Sequence, residues 1–280
     1  MPGAPRMTQA GAPLLRRIEI LDQHGERRTI EIPAERPLTV FVDKRELVTL
    51  MTLGAQPELL VLGYLLNQRL IAGLGDVQAI SVDWEVDAAA VRTRAGLADL
   101  EARTAHRIVT TGCGQGTVFG EAMGALDGLQ LPDARAARIT QRQLYALLDS
   151  LKQRDTVHRR AGSVHGCALF QGGRMLVFAE DVGRHNAIDT IAGWMLVHGV
   201  GGADKVFFTT GRLTSEMVIK AAQMGVPIVV SRNGVTAMGH DLATRLGMCL
   251  FGRAANRHFL CYTGLARFDA EPQAAGPAPA

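Results

Sequence analysis

Hydrophobic and polar residues alternate with the period of a β-strand over much of the first hundred positions. Isoleucine and leucine alternate with charged residues on both sides of His24-Gly25, which predicts a β-hairpin over residues 16–32. The same pattern of two strands around a turn repeats around Asp43-Lys44. Between the strands, leucines recur at helical spacing from Gln56 to Ile71, behind Pro57 at a first-turn position. The chain therefore begins with a strand-rich lobe that contains one helix. Further strands of this lobe are predicted at 37–42, 47–50, 79–84 and 88–93.

After residue 140, strand patterns and helix patterns alternate. Such alternation favours an α/β fold with helices on the faces of a sheet. The ends of the chain, 1–13 and 268–280, are rich in Ala, Pro and Gly and are predicted to be flexible tails. We divide the rest into an N-terminal β-rich lobe, 14–134, and a C-terminal α/β lobe, 135–267. Helices are predicted at 140–151, 184–198, 215–224 and 236–246, and strands at 164–170, 174–178, 205–210, 227–231, 248–251 and 258–262.

Composition and charge narrow the class of protein without naming a ligand. Hydrophobic residues make up 47% and charged residues 20% of the 280, which is ordinary globular usage. A net charge of +3 permits a phosphate-rich partner but does not demand one. No apolar stretch approaches the roughly 20 residues that span a bilayer, and the N-terminus does not resemble a signal peptide. We expect a cytoplasmic protein that binds neither a membrane nor nucleic acid.

The four cysteines, at positions 113, 167, 249 and 261, form no C-x-x-C pair and no zinc-binding spacing with histidine. Three of them lie inside apolar runs and are interpreted as small buried hydrophobic residues. This usage favours a reducing compartment over a disulfide framework.

Cys113 is the first candidate for chemistry. It lies between Gly112 and Gly114 in a loop that follows an apolar strand pattern, with Gly116 just beyond. Flanking glycines expose the thiol, and backbone N–H groups that point into such a loop stabilise a thiolate. The alternative is a tight turn with a fortuitous free cysteine. The G-x-G-x-G spacing resembles a dinucleotide fingerprint only loosely, because no matching acidic residue follows, and we reject that interpretation.

A second candidate is the polar stretch Glu180–Asp189, at a junction between a strand and a helix. Ligands of α/β folds bind at such junctions, and Arg184 and His185 could contact a phosphate at the start of the helix. The alternative is a solvated helix cap that uses Asp181 and Asn186.

Two further junctions and one histidine complete the candidates. Arg212 lies in Thr209–Glu216, where it could bind a phosphate or carboxylate, while Ser215 or Thr214 could cap the helix. A loop is predicted after the strand 248–251, and it fits either recognition of a polar ring or phosphate or a basic surface turn. His165 begins a predicted strand, where a lone histidine is more often structural than catalytic. The candidate residues at the end of the strand 248–251 and in the loop after it are Phe251, Gly252, Arg253, Ala254, Ala255 and Asn256.

Taken together, these stretches resemble the FdhD/NarQ family of formate dehydrogenase accessory proteins. The similarity extends in order from about residue 36 to 264, and its longest string, Glu180–Asp189, is highly specific. The matching stretches are Pro37–Val42, Glu58–Leu65, Ser163–His165, Glu180–Asp189, Thr210–Glu216 and Cys261–Gly264.

The resemblance implies a fold and a function. The fold would be a cytidine deaminase-like three-layer α/β/α sandwich, and the protein would be a homodimer. The activity would be that of a sulfurtransferase: a loop cysteine, here Cys113, accepts sulfur from a cysteine desulfurase as a persulfide. The sulfur would pass to the molybdenum bis(guanine dinucleotide) cofactor, held as a bound substrate, before that cofactor enters formate dehydrogenase. Cofactor-binding residues would be those of Phe251–Asn256, with Arg184, His185, Arg212 and His165.

The sequence departs from the family at one position, because many members have a C-x-x-C pair where this chain has Cys113 and Gly116. The departure favours a second hypothesis, a cofactor-binding chaperone that performs no sulfur chemistry. A zinc deaminase, suggested by fold analogy, would need H-x-E and P-C-x-x-C, which this chain lacks, so no zinc is expected. A cysteine hydrolase that pairs Cys113 with a histidine remains open, but nothing specific supports it.

Overall fold

The structure, a computed structural model, describes residues 4–96 and 128–271, and every statement below concerns these residues. The N-terminal lobe contains a five-stranded sheet in the order β1-β6-β7-β4-β5, with the predicted hairpin β2–β3 beside it. The β4–β5 and β2–β3 turns fall at Asp43-Lys44 and near His24-Gly25, as predicted. The strands are β1 (Arg6–Met7), β2 (Leu15–Leu21), β3 (Arg27–Pro33), β4 (Arg36–Val42), β5 (Arg45–Thr52), β6 (Val77–Asp83) and β7 (Ala88–Thr93). Helix α1 spans Pro57–Asn67.

The C-terminal lobe contains a six-stranded sheet in the order β10-β9-β11-β12-β13-β14. Its centre, β11-β12-β13, is parallel, and β9 and β14 run antiparallel to their neighbours. The strands are β8 (Ile139–Thr140), β9 (His165–Gln171), β10 (Arg174–Asp181), β11 (Lys205–Thr209), β12 (Ile228–Ser231), β13 (Cys249–Ala255), β14 (His258–Thr263) and β15 (Phe268–Asp269). The helices are α2 (Gln141–Lys152), α3 (Val157–Ala161), α4 (Arg184–Val197), α5 (Ser215–Gln223) and α6 (Ala237–Arg245).

Helices cover both faces of this sheet. Along β11, Phe207 faces the core beneath α4, α5 and α6, whereas Phe208 faces the core beneath α2. This alternation is the strand period of two, and it divides the sheet's apolar residues between two cores. The α/β prediction is therefore confirmed, with three layers and a strand-rich N-terminal lobe. The implied likeness to cytidine deaminases stays a prediction.

Helix α4 is buried on nearly all sides because α1 and the N-terminal sheet cover the face that the main sheet leaves open. The two helices cross where Gly63 of α1 meets Gly193 of α4. A β-carbon on Gly63 would lie 1.7 Å from the carbonyl oxygen of Asp189, and one on Gly193 would lie 2.0 Å from that of Leu59. Both positions therefore require glycine if the helices are to approach this closely.

The structure differs from the predicted tails at both ends. Arg6–Met7 forms β1 and pairs in parallel with β6, and Thr8 donates to the buried Glu58 over 2.6 Å. At the other end, Phe268 begins β15 and packs edge-on against Phe251, with ring centroids 5.2 Å apart. Strand pairing and the partial burial of Met7 and Phe268 account for structure in segments whose Ala, Pro and Gly content suggested flexibility.

Substituting Gly63→Ala is expected to lower the free energy of unfolding by about 3 kcal/mol, because the added methyl group would overlap the backbone of α4. Urea denaturation monitored by circular dichroism measures this loss. Gly201→Ala is the matched control, because a β-carbon there meets nothing within 4 Å, and it should change stability by less than about 0.5 kcal/mol. Equal midpoints for the two variants would contradict the crossing described here.

Candidate functional site

The polar junctions predicted from sequence meet at one edge of the main sheet. Strands β10, β11, β12 and β13 all end there, and the antiparallel β9 begins there at His165. Ligand sites of open α/β sheets lie outside the carboxyl ends of the strands. This edge is therefore the part of the fold in which to look for a binding site.

His165 is held at this edge by Thr210, the residue that follows β11. Its Nδ1 lies 3.2 Å from the Thr210 hydroxyl, which also accepts from the backbone N–H of Gly166 over 3.0 Å. The Thr210 N–H in turn donates to the Gly166 carbonyl over 2.9 Å. On the far side of the loop, the Asn233 side-chain amide donates to the Thr210 carbonyl over 2.6 Å. The loops after β11 and β12 are thus bonded to one another and to β9.

Cationic groups surround His165. Burial, and then the charges of Arg184, His158 and Arg212, lower the pKa of His165 below its ordinary value of 6.5. Arg184 lies behind Gly211, where a β-carbon would come within 2.6 Å of the arginine Cδ. Glycine at 211 therefore lets the Arg184 side chain pass beneath the loop. The predicted Arg212 is exposed at the same edge.

A cavity of about 350 Å³ opens at this edge beside Gly166 and Thr210, on the face of the sheet that α2 covers. The predicted His165, Arg184 and Arg212 are not among its lining residues. Basic side chains from the end of α2, from α3 and from the loop after β12 line it together with the aromatic rings of Phe178 and Phe208. These basic residues are Lys152, His158, Arg159 and Arg232. Glu180 also lines the cavity, but its carboxylate accepts from the backbone N–H groups of Val157 and His158, at 2.7 and 3.1 Å. The balance of charge favours an anionic ligand.

Part of the predicted stretch 251–256 reaches the cavity. Ala254, Ala255 and Asn256 line it, and Asn256 takes a left-handed backbone conformation with φ of 54°. Phe251 is completely buried in the core beneath α2, so its side chain serves packing and does not reach the cavity.

Gly252 and Arg253 lie in β13, and neither lines the cavity. A β-carbon on Gly252 would lie 2.7 Å from the Tyr262 ring, while Arg253 donates its N–H to the Asn233 carbonyl over 2.9 Å. The prediction of a loop here is wrong for Gly252–Ala255, because β13 continues to Ala255, which pairs with His258 of β14.

The Glu180–Asp189 string is mostly buried and joins the two lobes. Asp181 accepts from the Thr52 hydroxyl over 2.5 Å and from the Asn186 amide over 2.9 Å. Deeper along α4, Asp189 lies 2.8 Å from the ammonium of Lys220. The predicted solvated cap is therefore wrong: these carboxylates lie away from water, which is tolerable because each has charged or hydrogen-bonding partners.

His185 belongs to this buried network and does not line the cavity. Its Nε2 lies 3.5 Å from Glu216 Oε2, a spacing that would suit an ion pair. Burial, followed by the charges of Lys220 and Arg184, nevertheless lowers the pKa of His185 to about 2. The cost of removing a charged imidazole from water outweighs the single 3.5 Å contact with Glu216. We therefore interpret His185 as neutral.

The predicted cap at the start of α5 takes another form. Thr214 is the N-cap residue of α5, but its hydroxyl makes no capping hydrogen bond, and Ser215 is already the first helical residue. Backbone geometry alone begins this helix.

Cys113 and Gly116 lie outside the described residues, so the predicted sulfur-carrying loop is not tested. The described residues contain no group of three or more metal-ligating side chains, and no described helix is long and apolar enough to cross a membrane.

Sequence reasoning missed the basic residues that line the cavity. Arg232 directly follows strand β12, much as Arg212 comes shortly after strand β11. Its position at the end of a strand could have identified Arg232 as a candidate binding residue from the sequence. Lys152, His158 and Arg159 belong to a basic run at 152–160 whose pattern resembles an ordinary solvated surface. Only the placement of α3 against Glu180 turns part of this run toward the sheet edge.

Comparisons with known proteins define the class to which this fold and site correspond. The profile of the FdhD/NarQ family matches residues 33–269. The chain belongs to the FdhD/NarQ family. A relative from Geobacillus kaustophilus, named "Sulfur carrier protein FdhD", is 31% identical over 235 residues, covering 83% of this chain and 88% of the relative. A relative of the same name from Halalkalibacterium halodurans is 30% identical, over 88% and 91% of the two chains.

A solved structure shares the fold. The crystal structure of a protein described as a formate dehydrogenase accessory protein, from Desulfotalea psychrophila, superposes with a TM-score of 0.73. The match covers 91% of this chain and all of the other, with 24% sequence identity.

The buried His185 makes stability depend on pH. The unfolded chain binds a proton at His185 near pH 6.5, whereas the folded chain does not until about pH 2. Stability is therefore present above pH 6.5 and is lost as the pH falls below it, by about 2 kcal/mol between pH 7 and pH 5. We expect His185→Gln to lose that much less than the wild type over this interval, measured by urea denaturation at both pH values. Parallel losses in the two proteins would contradict a neutral, buried His185.

Proposed function

We propose that this chain is a sulfur carrier that serves a formate dehydrogenase. In this proposal it takes persulfide sulfur from a cysteine desulfurase and passes it to the molybdenum bis(guanine dinucleotide) cofactor, which it holds as substrate. The names of the relatives support the general role. The basic cavity at the sheet edge is the observation that carries the cofactor part of the proposal, because it offers an anionic ligand several cations within a concave site.

The cavity fits one nucleotide end of such a cofactor. Its volume of about 350 Å³ lies at the lower end of small-ligand sites, which span about 300–1,000 Å³. The Arg232 side chain makes no hydrogen bond or ion pair with any residue of 4–96 or 128–271, so its guanidinium is available for a bidentate phosphate contact. Arg159 is less available, since its Nη1 donates to the carbonyls of Lys152 and Arg154 at 3.1 Å each. Phe178 and Phe208 supply apolar surface for a base.

Cys113 is the proposed carrier. Its thiolate attacks the outer sulfur of the desulfurase persulfide, forming a new S–S bond and releasing the desulfurase cysteine as a thiolate. The persulfide on Cys113 would then give its terminal sulfur to the substrate cofactor. That sulfur would be reduced to sulfide by two electrons from the metal centre of the substrate, and Cys113 would be released as a thiolate. This cycle needs one cysteine, so Gly116 does not prevent it.

A second candidate function is that of a chaperone that delivers the cofactor without sulfur chemistry. The observation that favours it is Gly116, which removes the second loop cysteine found in many family members. The two candidates share the cavity and differ only in whether Cys113 carries sulfur.

After incubation with a cysteine desulfurase and cysteine, the wild-type protein is expected to gain about 32 Da that a reductant removes. Cys113→Ala should show no gain, because the carrier thiol is absent. Cys167→Ala is the matched control and should keep the gain, because that thiol is fully buried and burial raises its pKa to about 12. Intact-protein mass spectrometry reads all three. No gain in the wild type, with a control acceptor loaded by the same desulfurase, would favour the chaperone.

Arg232→Ala is expected to weaken binding of GDP, used as a probe of the nucleotide end, by about tenfold or more, because it removes a charged hydrogen-bond donor from the cavity. Arg27→Ala, on the exposed β2–β3 hairpin and paired only with the exposed Glu19 among described residues, is the control and should bind as the wild type does. Isothermal titration calorimetry at constant salt measures both. Equal affinities for wild type and Arg232→Ala would contradict the assignment of this cavity.

A further inference from the structure

Two cysteines face each other across neighbouring strands of the main sheet. Cys249 lies at the start of β13 and Cys261 in β14, and their sulfur atoms are 3.9 Å apart. They are far apart in sequence and belong to no C-x-x-C motif. Among the described residues the remaining cysteine, Cys167, lies elsewhere, beneath α4 and hydrogen-bonded to Thr209. The chain therefore contains a pair of thiols that the sequence pattern does not reveal.

The two thiols are not equivalent. Cys249 is completely buried in the core beneath α2, whereas Cys261 lies half-buried on β14, the last strand of the sheet. A hydrogen bond from the Cys249 thiol lowers the pKa of Cys261, and the same contact, with burial, raises the pKa of Cys249. The accessible sulfur is therefore the better nucleophile, and the buried sulfur remains a protonated neighbour.

Joining the sulfurs requires a small movement of the strand pair. A disulfide requires a separation of about 2.05 Å, so they must approach by roughly 1.9 Å. The β13–β14 ladder shifts register between Leu250 and Phe251 and again between Gly252 and Ala255. Such irregular pairing at the edge of a sheet bends more readily than a continuous ladder.

We propose that Cys261 and Cys249 form a dithiol site that discharges sulfane sulfur from low-molecular-weight persulfides. This proposal rests on the proposed function in one respect only, which is that the sulfur donor is a persulfide. A half-buried thiol admits a small donor but not the persulfide of a desulfurase loop, so this site is distinct from the Cys113 carrier.

The chemistry balances in two steps. The Cys261 thiolate attacks the outer sulfur of R–S–SH, which forms Cys261–S–SH and releases the donor as R–S⁻. Cys249 then loses its proton and attacks the inner sulfur on Cys261, which forms the Cys249–Cys261 disulfide and releases HS⁻. Overall, one persulfide and two thiols give one thiol, one hydrogen sulfide and one disulfide. The sulfane sulfur is reduced and the two cysteines are oxidised.

The test uses the full chain carrying Cys113→Ala, so that the proposed carrier cannot contribute. Incubation with glutathione persulfide is expected to lower the protein mass by about 2 Da, to release about one equivalent of sulfide and to link the peptides of Cys249 and Cys261. Adding Cys249→Ala should instead leave a gain of about 32 Da on Cys261 without that sulfide, because the second thiol is missing. Adding Cys261→Ala should abolish both changes.

Cys167 is the internal control, since its thiol should stay unmodified throughout. The Cys113→Ala protein keeps both Cys249 and Cys261, so its result is decisive even if the added Cys249→Ala impairs folding. An unchanged mass and no sulfide release from Cys113→Ala would overturn the proposal, as would equal labelling of Cys261 and Cys167 by iodoacetamide. The Cys113 experiment with the desulfurase is independent, so either proposal can fail while the other stands.

Discussion

The close crossing of α1 and α4 is the constraint on which the rest of the structure depends. Glycine at both contact points lets the helix backbones touch, and this contact presses the N-terminal lobe against the helix that also covers the main sheet. Helix α4 thereby becomes an interior element, which explains why its polar residues are buried together with its apolar ones. Its first residue, Arg184, is consequently placed beneath the loop at Gly211, and the geometry of the sheet edge follows from that placement.

An interior helix cannot carry polar side chains without partners, and this explains the most distinctive string of the sequence. Asp181 and Asp189 each bind groups from the other lobe, Thr52 and Asn67 respectively. Leaving such a buried group without its partner costs about 1–3 kcal/mol, and more where the group is charged, so the string has a structural role. It also holds α4, whose first residue, Arg184, is one of the cations that lower the pKa of His165.

The sequence predicted the fold well because strand and helix periods are local signals, and every strand and helix predicted within the described residues is present. It predicted that His165 and the loop after β11 would share an edge, since that follows from strand order. It could not distinguish an exposed arginine from a buried one, because Arg184 is buried beneath the loop at Gly211, a contact that only the folded chain brings about. Phe251 was assigned to a ligand for a similar reason: the aromatic residues that bury it, Phe259 and Phe268, come from later segments.

The cavity and the cysteine pair lie at opposite ends of β13, and this separation bears on their roles. The cavity is lined at Ala255, whereas Cys249 lies six residues earlier, roughly 20 Å away along an extended strand. Cys261 lies opposite Phe251, roughly 13 Å along the strand from Ala255, so sulfur bound there would have to leave Cys261 to reach a ligand in the cavity. A thiol pair that turns sulfane sulfur into sulfide at that distance would remove it from the protein and would not deliver it. Delivery then belongs to another thiol, which is the role proposed for Cys113, while the sheet edge is the proposed receiving site.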